Sequence, residues 1–284
     1  MEQKFIPHPE YTFDASNLPD TEDAIILIDK PAGISSFGVV AKVRGALKQK
    51  FGHKVKVGHT GTLDPFATGL LILLTGKMTK HSDEFLKKDK VYTATLKLGY
   101  TSTTGDPEGE IREYTKSTKF AKFEEHKDKI SDFVAEGAKQ CDKISNLSHC
   151  EASEISEFCS LNDIEFSLRS FIGKIQQTPP RFSAIKINGE RAYKLARQGE
   201  DFELPSRKVE IYSIDILNYN YPELTLRVHC SSGTYIRTLA EDVGAKLGTG
   251  AYLTALRREK IADYRVQDAL QLSHFTSGAS QTSR

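Results

Sequence analysis

An almost wholly apolar run, ATGLLILLTG at residues 67–76, places the strongest constraint on how this chain can fold. Neighbouring elements must bury it, because neither this run nor any other reaches the roughly 18 apolar residues of a membrane span. Its periodicity does not distinguish a buried strand from a buried helix. One carboxylate, Asp64, precedes the run in the motif GTLDP. An aspartate in a turn usually stabilises the turn, so a catalytic role for Asp64 needs further support.

The other patterns mix strands and helices without a regular strand–helix–strand rhythm. Strands are predicted over residues 24–28, 90–102 and 223–237, from apolar runs or alternating polarity. A helix is predicted from Ser35 or Ser36 to about residue 50, with Val39, Val40, Val43 and Leu47 on one face, and a second over 238–247, ended by Gly248. This arrangement favours an α+β fold over a doubly wound sheet.

One segment, residues 115–159, differs in composition from the rest of the chain. It holds seven Lys, nine Asp or Glu and three of the four cysteines. The spacing within it predicts one amphipathic helix, with an apolar face formed by Phe120, Phe123, Ile130, Phe133 and Val134. Patterned sequence resumes after it at SLNDIEFSLRSFIG. We therefore predict a polar insertion within a single domain that spans residues 1–284.

The net charge of +1 conceals two strongly basic segments. Residues 40–60 carry six Lys or Arg and no Asp or Glu, and residues 176–199 carry five Lys or Arg and one Glu. Such segments are typical of a protein that binds a polyanion such as RNA, although solvated helix faces give the same pattern. The N-terminus has no apolar signal segment, and four cysteines do not then predict a disulfide framework, so a cytoplasmic protein is expected.

Common site motifs are weak or absent in this sequence. The three cysteines of the insertion are nine residues apart, which is not the short paired spacing of a zinc site. No phosphate-binding loop, dinucleotide fingerprint or nucleophile elbow is present. The remaining candidates are Asp64, Tyr92 in KVYTA and Arg237 in SGTYIRT. Taken singly, these would be a turn aspartate, a core-facing tyrosine and a surface arginine.

Five blocks of the sequence, in order and over nearly the whole chain outside the insertion, resemble the TruB family of tRNA pseudouridine synthases. The blocks are IDKPAGISSFGVVAKVR, VGHTGTLDPFATGLLILLTGKMTK, KVYTATLKLGYTSTTGDPEGEI, FIGKIQQTPPRFSAIKINGERAYKLARQG and CSSGTYIRTLAEDVGAKLGTGAYLTALRREKI. The resemblance implies a mixed, mostly antiparallel central sheet flanked by helices and loops. It also implies isomerisation of uridine to pseudouridine, in which uracil leaves the ribose and rejoins through C5. That reaction is redox-neutral, so no cofactor and no metal is expected.

The resemblance also assigns roles to individual residues. Asp64 occupies the position of the catalytic nucleophile, and Arg237 that of the guanidinium that aims the carboxylate and lowers its pKa. Tyr92 matches the tyrosine that stacks on the target base and could act as a general base. His59 matches a histidine that fills the space left by the flipped base, and Leu256 matches an apolar residue of the base pocket.

Residues 176–199 match the thumb, the segment with which the family grips RNA. The thumb residues expected to meet phosphates are Lys186, Arg191, Lys194 and Arg197, with Tyr193 packed beside them. The expected protein is a tRNA pseudouridine-55 synthase acting on the TΨC stem-loop, a monomer without an obligatory protein partner, a membrane association or a C-terminal RNA-binding domain. Two alternatives stay open. One is a guide-RNA-dependent pseudouridine synthase, which shares GTLDP, and the other is a non-catalytic tRNA-binding or RNA-folding module.

Overall fold

A single large sheet organises the part of the chain that the computed structural model describes, residues 18–115, 159–187 and 189–272. The strands within these ranges are β1 (Ile25–Lys30), β2 (Val57–His59), β3 (Thr68–Thr75), β4 (Lys90–Leu98), β5 (Tyr100–Ser102), β6 (Ile111–Glu113), β7 (Gly173–Gln177), β8 (Lys186–Ile187), β9 (Glu190–Arg191), β10 (Arg207–Asn220), β11 (Glu223–Cys230), β12 (Ala251–Ile261), β13 (Tyr264–Arg265) and β14 (Leu270–Gln271). The helices are α1 (Ser36–Phe51), α2 (Ser82–Leu86), α3 (Leu161–Arg169), α4 (Ala192–Arg197) and α5 (Ile236–Leu247), with short 3₁₀ turns at Gly76–His81 and Val266–Asp268.

In the described ranges the sheet has ten strands, and most of its pairs are antiparallel. Its order is β14–β1–β3–β12–β4–β11–β10–β7, with β2 paired to β3 and β13 paired to β12. The β1–β14 and β3–β12 pairs are parallel, whereas β5–β6 and β8–β9 form separate hairpins. The predicted α+β fold with a mixed, mostly antiparallel sheet is confirmed.

The apolar run at residues 67–76 contains β3, which is buried on both faces. Within β3, Leu71 and Leu73 belong to a core that includes helix α1. The alternate residues Leu70, Ile72 and Leu74 belong to a second core on the opposite face. Successive side chains of a strand point to opposite faces, so a strand covered on both sides reads as a continuous apolar run.

Helix α1 forms where the sequence predicts it. The Ser35 side chain accepts a hydrogen bond from the backbone N–H of Gly38 at 3.0 Å, which caps the first turn. Gly52 ends the helix in the left-handed conformation, with φ of 77°. The predicted apolar face, Val39, Val40, Val43 and Leu47, is buried against β1, β2 and β3.

Two predicted strands are shorter than their patterns suggested. The strand predicted over 223–237 ends at Cys230, because Gly233 turns the chain with φ of 85°. Helix α5 follows, so Arg237 lies in its first turn rather than on a strand, and the helix ends at Gly248 as predicted. The strand predicted over 90–102 divides at Gly99, which has φ of 81°.

Most of the predicted insertion, residues 116–158, lies outside the described residues, and so does its predicted amphipathic helix. Cys159, which closes the segment, is buried, and its carbonyl accepts a hydrogen bond from the Tyr219 hydroxyl at 2.7 Å. Among the described ranges, no helix is long and apolar enough to cross a membrane.

Candidate active site

The loop that carries Asp64 is fixed by hydrogen bonds to the start of helix α1. The Ser36 hydroxyl accepts from the backbone N–H of Leu63 at 2.8 Å and donates to the Leu63 carbonyl at 2.9 Å. On the other side of the aspartate, the N–H of Gly33 donates to the carbonyl of Pro65 at 2.8 Å. The residues before and after Asp64 are therefore held by the first residue of α1 and by the segment that links β1 to α1.

Lys30 also holds this loop, from the end of β1. Its side chain is fully buried, and its Nζ donates to the carbonyls of Pro31 at 2.9 Å, Ile34 at 2.8 Å and Pro65 at 3.1 Å. Burial lowers the pKa of Lys30 from its ordinary 10.5 to about 8, while the nearby Asp64 carboxylate opposes this effect. The amine is thus a structural donor that ties the Asp64 loop to β1.

We expect Lys30→Met to destabilise the protein by roughly 2 kcal/mol at pH 7, because three carbonyls in partly buried hydrogen bonds lose their donor. The depressed pKa means that the unfolded chain binds more protons than the folded one between about pH 8 and 10.5. In that window Lys30 makes the wild type more stable as pH rises, and the variant lacks this increment. Urea unfolding at pH 7 and pH 9.5 measures both effects. If the difference in free energy of unfolding between the wild type and the variant narrows as pH rises, the depressed pKa of Lys30 is contradicted.

Arg237 forms a two-pronged ion pair with Asp64. Its Nε lies 3.1 Å from Asp64 Oδ2, and its Nη2 lies 3.4 Å from Oδ1. The arginine side chain is 5 % exposed, so it is not the surface arginine of the simplest sequence interpretation, whereas the Asp64 side chain is 32 % exposed. Arg237 therefore presents the carboxylate toward solvent from a buried position, and a paired geometry of this kind fixes direction as well as charge.

A second carboxylate, Asp106, completes the arginine's hydrogen bonding, and sequence reasoning missed it. Asp106 Oδ2 lies 3.1 Å from Arg237 Nη1, and both side chains are buried. The carbonyls of Thr104 at 3.1 Å and Phe182 at 2.8 Å accept the remaining contacts. Both carboxylates stand in Asp-Pro turns, GTLDP and TGDPEG, and that shared context was the signal available in the sequence.

The cavity beside this ion pair measures about 300 Å³. Asp64, Tyr92, Arg237 and Leu256, four of the residues predicted from the sequence, all line it. Tyr92 and Leu256 lie on the adjacent strands β4 and β12 and are 8 % and 7 % exposed. The sheet thus supplies an aromatic and an aliphatic wall, and the loop before β3 and helix α5 supply the charges.

Arg258 connects the cavity to the apolar strand β3. It is 1 % exposed, and it donates from Nε to the Leu70 carbonyl at 2.7 Å and from Nη2 to the Gly61 carbonyl at 3.1 Å. Its backbone packs so closely on Gly69 that a Cβ there would collide with the Arg258 carbonyl, and Gly69 has φ of 101°. Glycine at position 69 therefore allows β12 to approach β3 beneath the site.

Burial sets the protonation of three side chains predicted as site residues. It raises the pKa of Asp64, and the Arg237 guanidinium beside it opposes this effect. It also raises the pKa of the Tyr92 phenol, which therefore keeps its proton at neutral pH. It lowers the pKa of His59, whose imidazole is then neutral at pH 7.

Apart from Leu256, the predicted RNA-contacting residues lie around the cavity rather than in it. His59 is half-buried at the end of β2, two residues before the loop that lines the cavity, and its Nδ1 accepts from the Gly61 N–H at 3.4 Å. The thumb residues lie on the β8–β9 hairpin and helix α4. Tyr193 is half-buried. The four basic thumb residues are exposed: Lys186, Arg191, Lys194 and Arg197. The Arg197 guanidinium lies 5.9 Å from the Tyr193 ring centroid.

Metal ligation has no candidate cluster in the described ranges, where no three His, Cys, Asp or Glu side chains converge. Two cysteines of the described chain, Cys159 and Cys230, are free and buried. Burial raises the pKa of Cys230 to about 12, which keeps it a thiol rather than a reactive thiolate.

Family models and similar proteins point to the same family. The model of the TruB family pseudouridylate synthase N-terminal domain matches residues 48–150 and 115–236. A tRNA pseudouridine synthase B of Phocaeicola vulgatus is 40 % identical over 89 % of this chain and 92 % of its own length. The protein of the same name from Bacteroides fragilis is 37 % identical over 92 % of this chain and 95 % of its own. That of Chloroherpeton thalassium is 42 % identical over 90 % and 89 %.

Solved structures share the fold at lower identity. A chain in the crystal structure of a Cbf5-Nop10-Gar1 complex superposes with a TM-score of 0.57 at 23 % identity, over 89 % of this chain and 53 % of that one. A chain of the archaeal box H/ACA sRNP Nop10-Cbf5 complex gives a TM-score of 0.55 at 20 % identity, and this chain spans 58 % of it. These similarities concern the fold alone. The family match and the closely similar relatives, taken with the sheet and the site that it carries, show that this chain belongs to the TruB family of pseudouridylate synthases.

Proposed function

We propose that this protein is a tRNA pseudouridine-55 synthase, which isomerises a uridine of the TΨC loop to pseudouridine after flipping it from the RNA. The observation that carries the proposal is the two-pronged Asp64–Arg237 ion pair on the wall of a cavity shared with Tyr92 and Leu256. The TruB family membership of the chain and the tRNA pseudouridine synthase B name of its relatives support tRNA as the substrate.

The isomerisation requires a carboxylate that is ionised inside a partly closed site. The glycosidic bond from C1′ to N1 breaks, the uracil rotates, and a bond from C1′ to C5 forms while the C5 proton is lost and N1 gains one. Asp64 supplies the carboxylate that acts at C1′ or at C6. Burial alone would favour its neutral acid, and Arg237 counters this by pairing with the ionised form.

Tyr92 and Leu256 fit the role of a slot for the flipped base. On neighbouring strands, the aromatic ring offers a stacking surface to uracil and the aliphatic side chain offers an apolar contact. Because the Tyr92 phenol holds its proton at neutral pH, we assign it to stacking in preference to proton abstraction. His59 stands nearby as a neutral imidazole, suited to filling the space that the flipped base leaves in the RNA.

RNA affinity is proposed to rest on the exposed thumb cations. We expect replacement of Lys186, Arg191 and Lys194 by Ala to weaken tRNA binding and to make the slope of log affinity against log salt shallower by about 2, since each lost phosphate contact removes roughly 0.7–0.9. Turnover on saturating tRNA should change little, because none of the three lines the cavity. Filter binding over a range of salt concentrations measures the slope.

A matched control for that variant removes three exposed lysines elsewhere on the described surface, Lys174, Lys208 and Lys246. It loses the same charge, so a purely general electrostatic effect would lower affinity equally in both triple variants. An unchanged salt slope in the thumb variant would contradict the thumb assignment.

The decisive experiment is to incubate the purified protein with an unmodified tRNA transcript and to map pseudouridine at nucleotide resolution. Product at one uridine of the TΨC loop, without added RNA or protein, supports the proposal. Activity only with a guide RNA and partner proteins would favour the guide-dependent alternative. Binding of tRNA without product would favour the non-catalytic module. We further propose that the protein acts in the cytoplasm and as a monomer. Sedimentation of the free protein and of its tRNA complex tests the monomeric state.

A further inference from the structure

A second arginine, Arg207, is held rigidly on the cavity wall away from the paired carboxylates. It is the first residue of β10, is half-buried, and lines the cavity. Its guanidinium lies over the ring of Tyr235, with Cζ 4.5 Å from the centroid, and its Nη2 donates to the carbonyl of Gly233. A Cβ at position 233 would make ordinary van der Waals contact with this guanidinium, 3.5 Å from Cζ, so glycine is favoured there by its φ of 85°.

The backbone around the stacked ring is fixed as well. Gln177 on β7 bonds both backbone groups of Tyr235, accepting from its N–H at 2.7 Å and donating to its carbonyl at 3.0 Å. Gln177 also pairs in register with Arg207, because β7 and β10 are antiparallel neighbours. The cation, the ring beneath it and the strand between them therefore form one preorganised unit.

Two arginines on the cavity wall, Arg207 and Arg258, have no carboxylate partner among the described residues, but Arg258 donates to two backbone carbonyls. Arg237 pairs with two carboxylates and Arg257 with Asp29. No Asp or Glu of the described ranges lies within ion-pair distance of Arg207, and its Nε is buried with no hydrogen-bond partner there. A buried donor without a partner carries a desolvation cost that a bound acceptor removes. The cavity wall thus holds a fixed cation with an unused donor.

Ser183 supplies a second unused donor on the same wall. It is 4 % exposed, lines the cavity, and its Oγ has no partner among the described residues. Its backbone carbonyl accepts from the Tyr193 N–H of the thumb helix at 3.0 Å, and the preceding carbonyl, of Phe182, accepts from Arg237. Ser183, itself within the thumb segment, therefore connects helix α4 to the residue that bonds Arg237.

We propose that Arg207 and Ser183 bind the RNA phosphate adjacent to the target uridine, which makes them positioning residues for the reaction; the inference rests on the proposed function. When Asp64 reaches C1′ or C6, the ribose of the same nucleotide lies beside the ion pair, and its phosphates are only a few bonds away. Asp64 repels those phosphates, so a cation is needed to hold one in the cavity. A planar guanidinium fixed on the cavity wall offers a phosphate both positive charge and N–H donors.

The test compares Arg207→Ala with Arg207→Lys and with the control Lys208→Ala, an exposed lysine at the next position. We expect Arg207→Ala to raise KM for the tRNA stem-loop roughly 10- to 100-fold with kcat little changed, as for a lost charged hydrogen bond in binding. The salt slope of binding should become shallower by about 0.7. Arg207→Lys should recover the slope and part of the affinity, and Lys208→Ala should resemble the wild type. Ser183→Ala should raise KM roughly threefold to tenfold with the slope unchanged.

A chemically neutralised phosphate separates binding from a merely structural role. Stem-loops with one methylphosphonate linkage, on the 5′ or the 3′ side of the target uridine, remove the charge of one phosphate at a time. For one of the two linkages, the wild type should bind the methylphosphonate stem-loop more weakly than the unmodified one. Arg207→Ala should bind these two stem-loops with equal affinity, because the contact is already lost. Additive losses at both linkages, or a fall in kcat with an unchanged salt slope, would overturn the proposal and leave Arg207 as a support for Tyr235. A wild type that makes no pseudouridine from the unmodified stem-loop would instead contradict the proposed function.

Discussion

Asp64→Asn is expected to abolish pseudouridine formation, with a single-turnover rate at least about 10⁴-fold below that of the wild type. The carboxamide has nearly the same shape, so the loop held by Lys30 and Ser36 should be undisturbed. It carries no negative charge, and it can neither attack carbon nor stabilise a positive charge at C1′. Binding of tRNA should survive, because the thumb cations that are proposed to contact phosphates are unaffected.

The matched control for this variant is Asp215→Asn, which makes the same chemical change at an exposed position of β10. Rates are measured with enzyme in excess over labelled tRNA, and binding is measured by filter retention in parallel. Turnover by freshly prepared Asp64→Asn within tenfold of the control would show that another group is the nucleophile. Loss of both binding and turnover would show that the substitution disturbs the loop.

Arg237→Gln should produce the second large loss, about 10³-fold in the single-turnover rate, because it removes one partner from a buried ion-pair network. Asp64 and Asp106 are then left without the cation between them, and the pKa of Asp64 rises further because the largest charge that opposes the effect of burial is lost. The reaction needs the ionised carboxylate, so the acidic limb of the pH–rate profile should move to higher pH. Arg237→Lys keeps the charge and should shift that limb less.

The matched control is Arg257→Gln, which breaks a similar two-pronged pair with Asp29 at 3.1 and 2.8 Å outside the cavity. Thermal unfolding of both variants separates lost stability from lost chemistry. A pH profile for Arg237→Gln that keeps the wild-type acidic limb would contradict the role assigned to the guanidinium. An equal rate loss in Arg257→Gln would show that the effect is one of stability.

Local pattern determined several elements of this protein by itself. Helix α1 begins at its serine cap and buries Val39, Val43 and their neighbours, and helix α5 ends at Gly248, because capping and amphipathic spacing depend on residues only a few positions apart. The ordered motifs around Asp64 and Arg237 were also sufficient to indicate the family. These features can be identified from neighbouring residues in the sequence, without knowledge of distant contacts.

The tertiary structure alone decided how the site is assembled. Asp64 and Arg237 are 173 positions apart. The sequence pattern predicted Arg237 at the end of a strand, whereas the turn at Gly233 places it, buried, in the first turn of helix α5. Asp106 gained its role only when Arg237 reached it across 131 positions. The apolar run at 67–76 became a strand because β1, β2 and β12 flank it and two cores cover its faces. Such outcomes depend on which distant segments pack together, and the free energy of that packing is not encoded in the periodicity of any one segment.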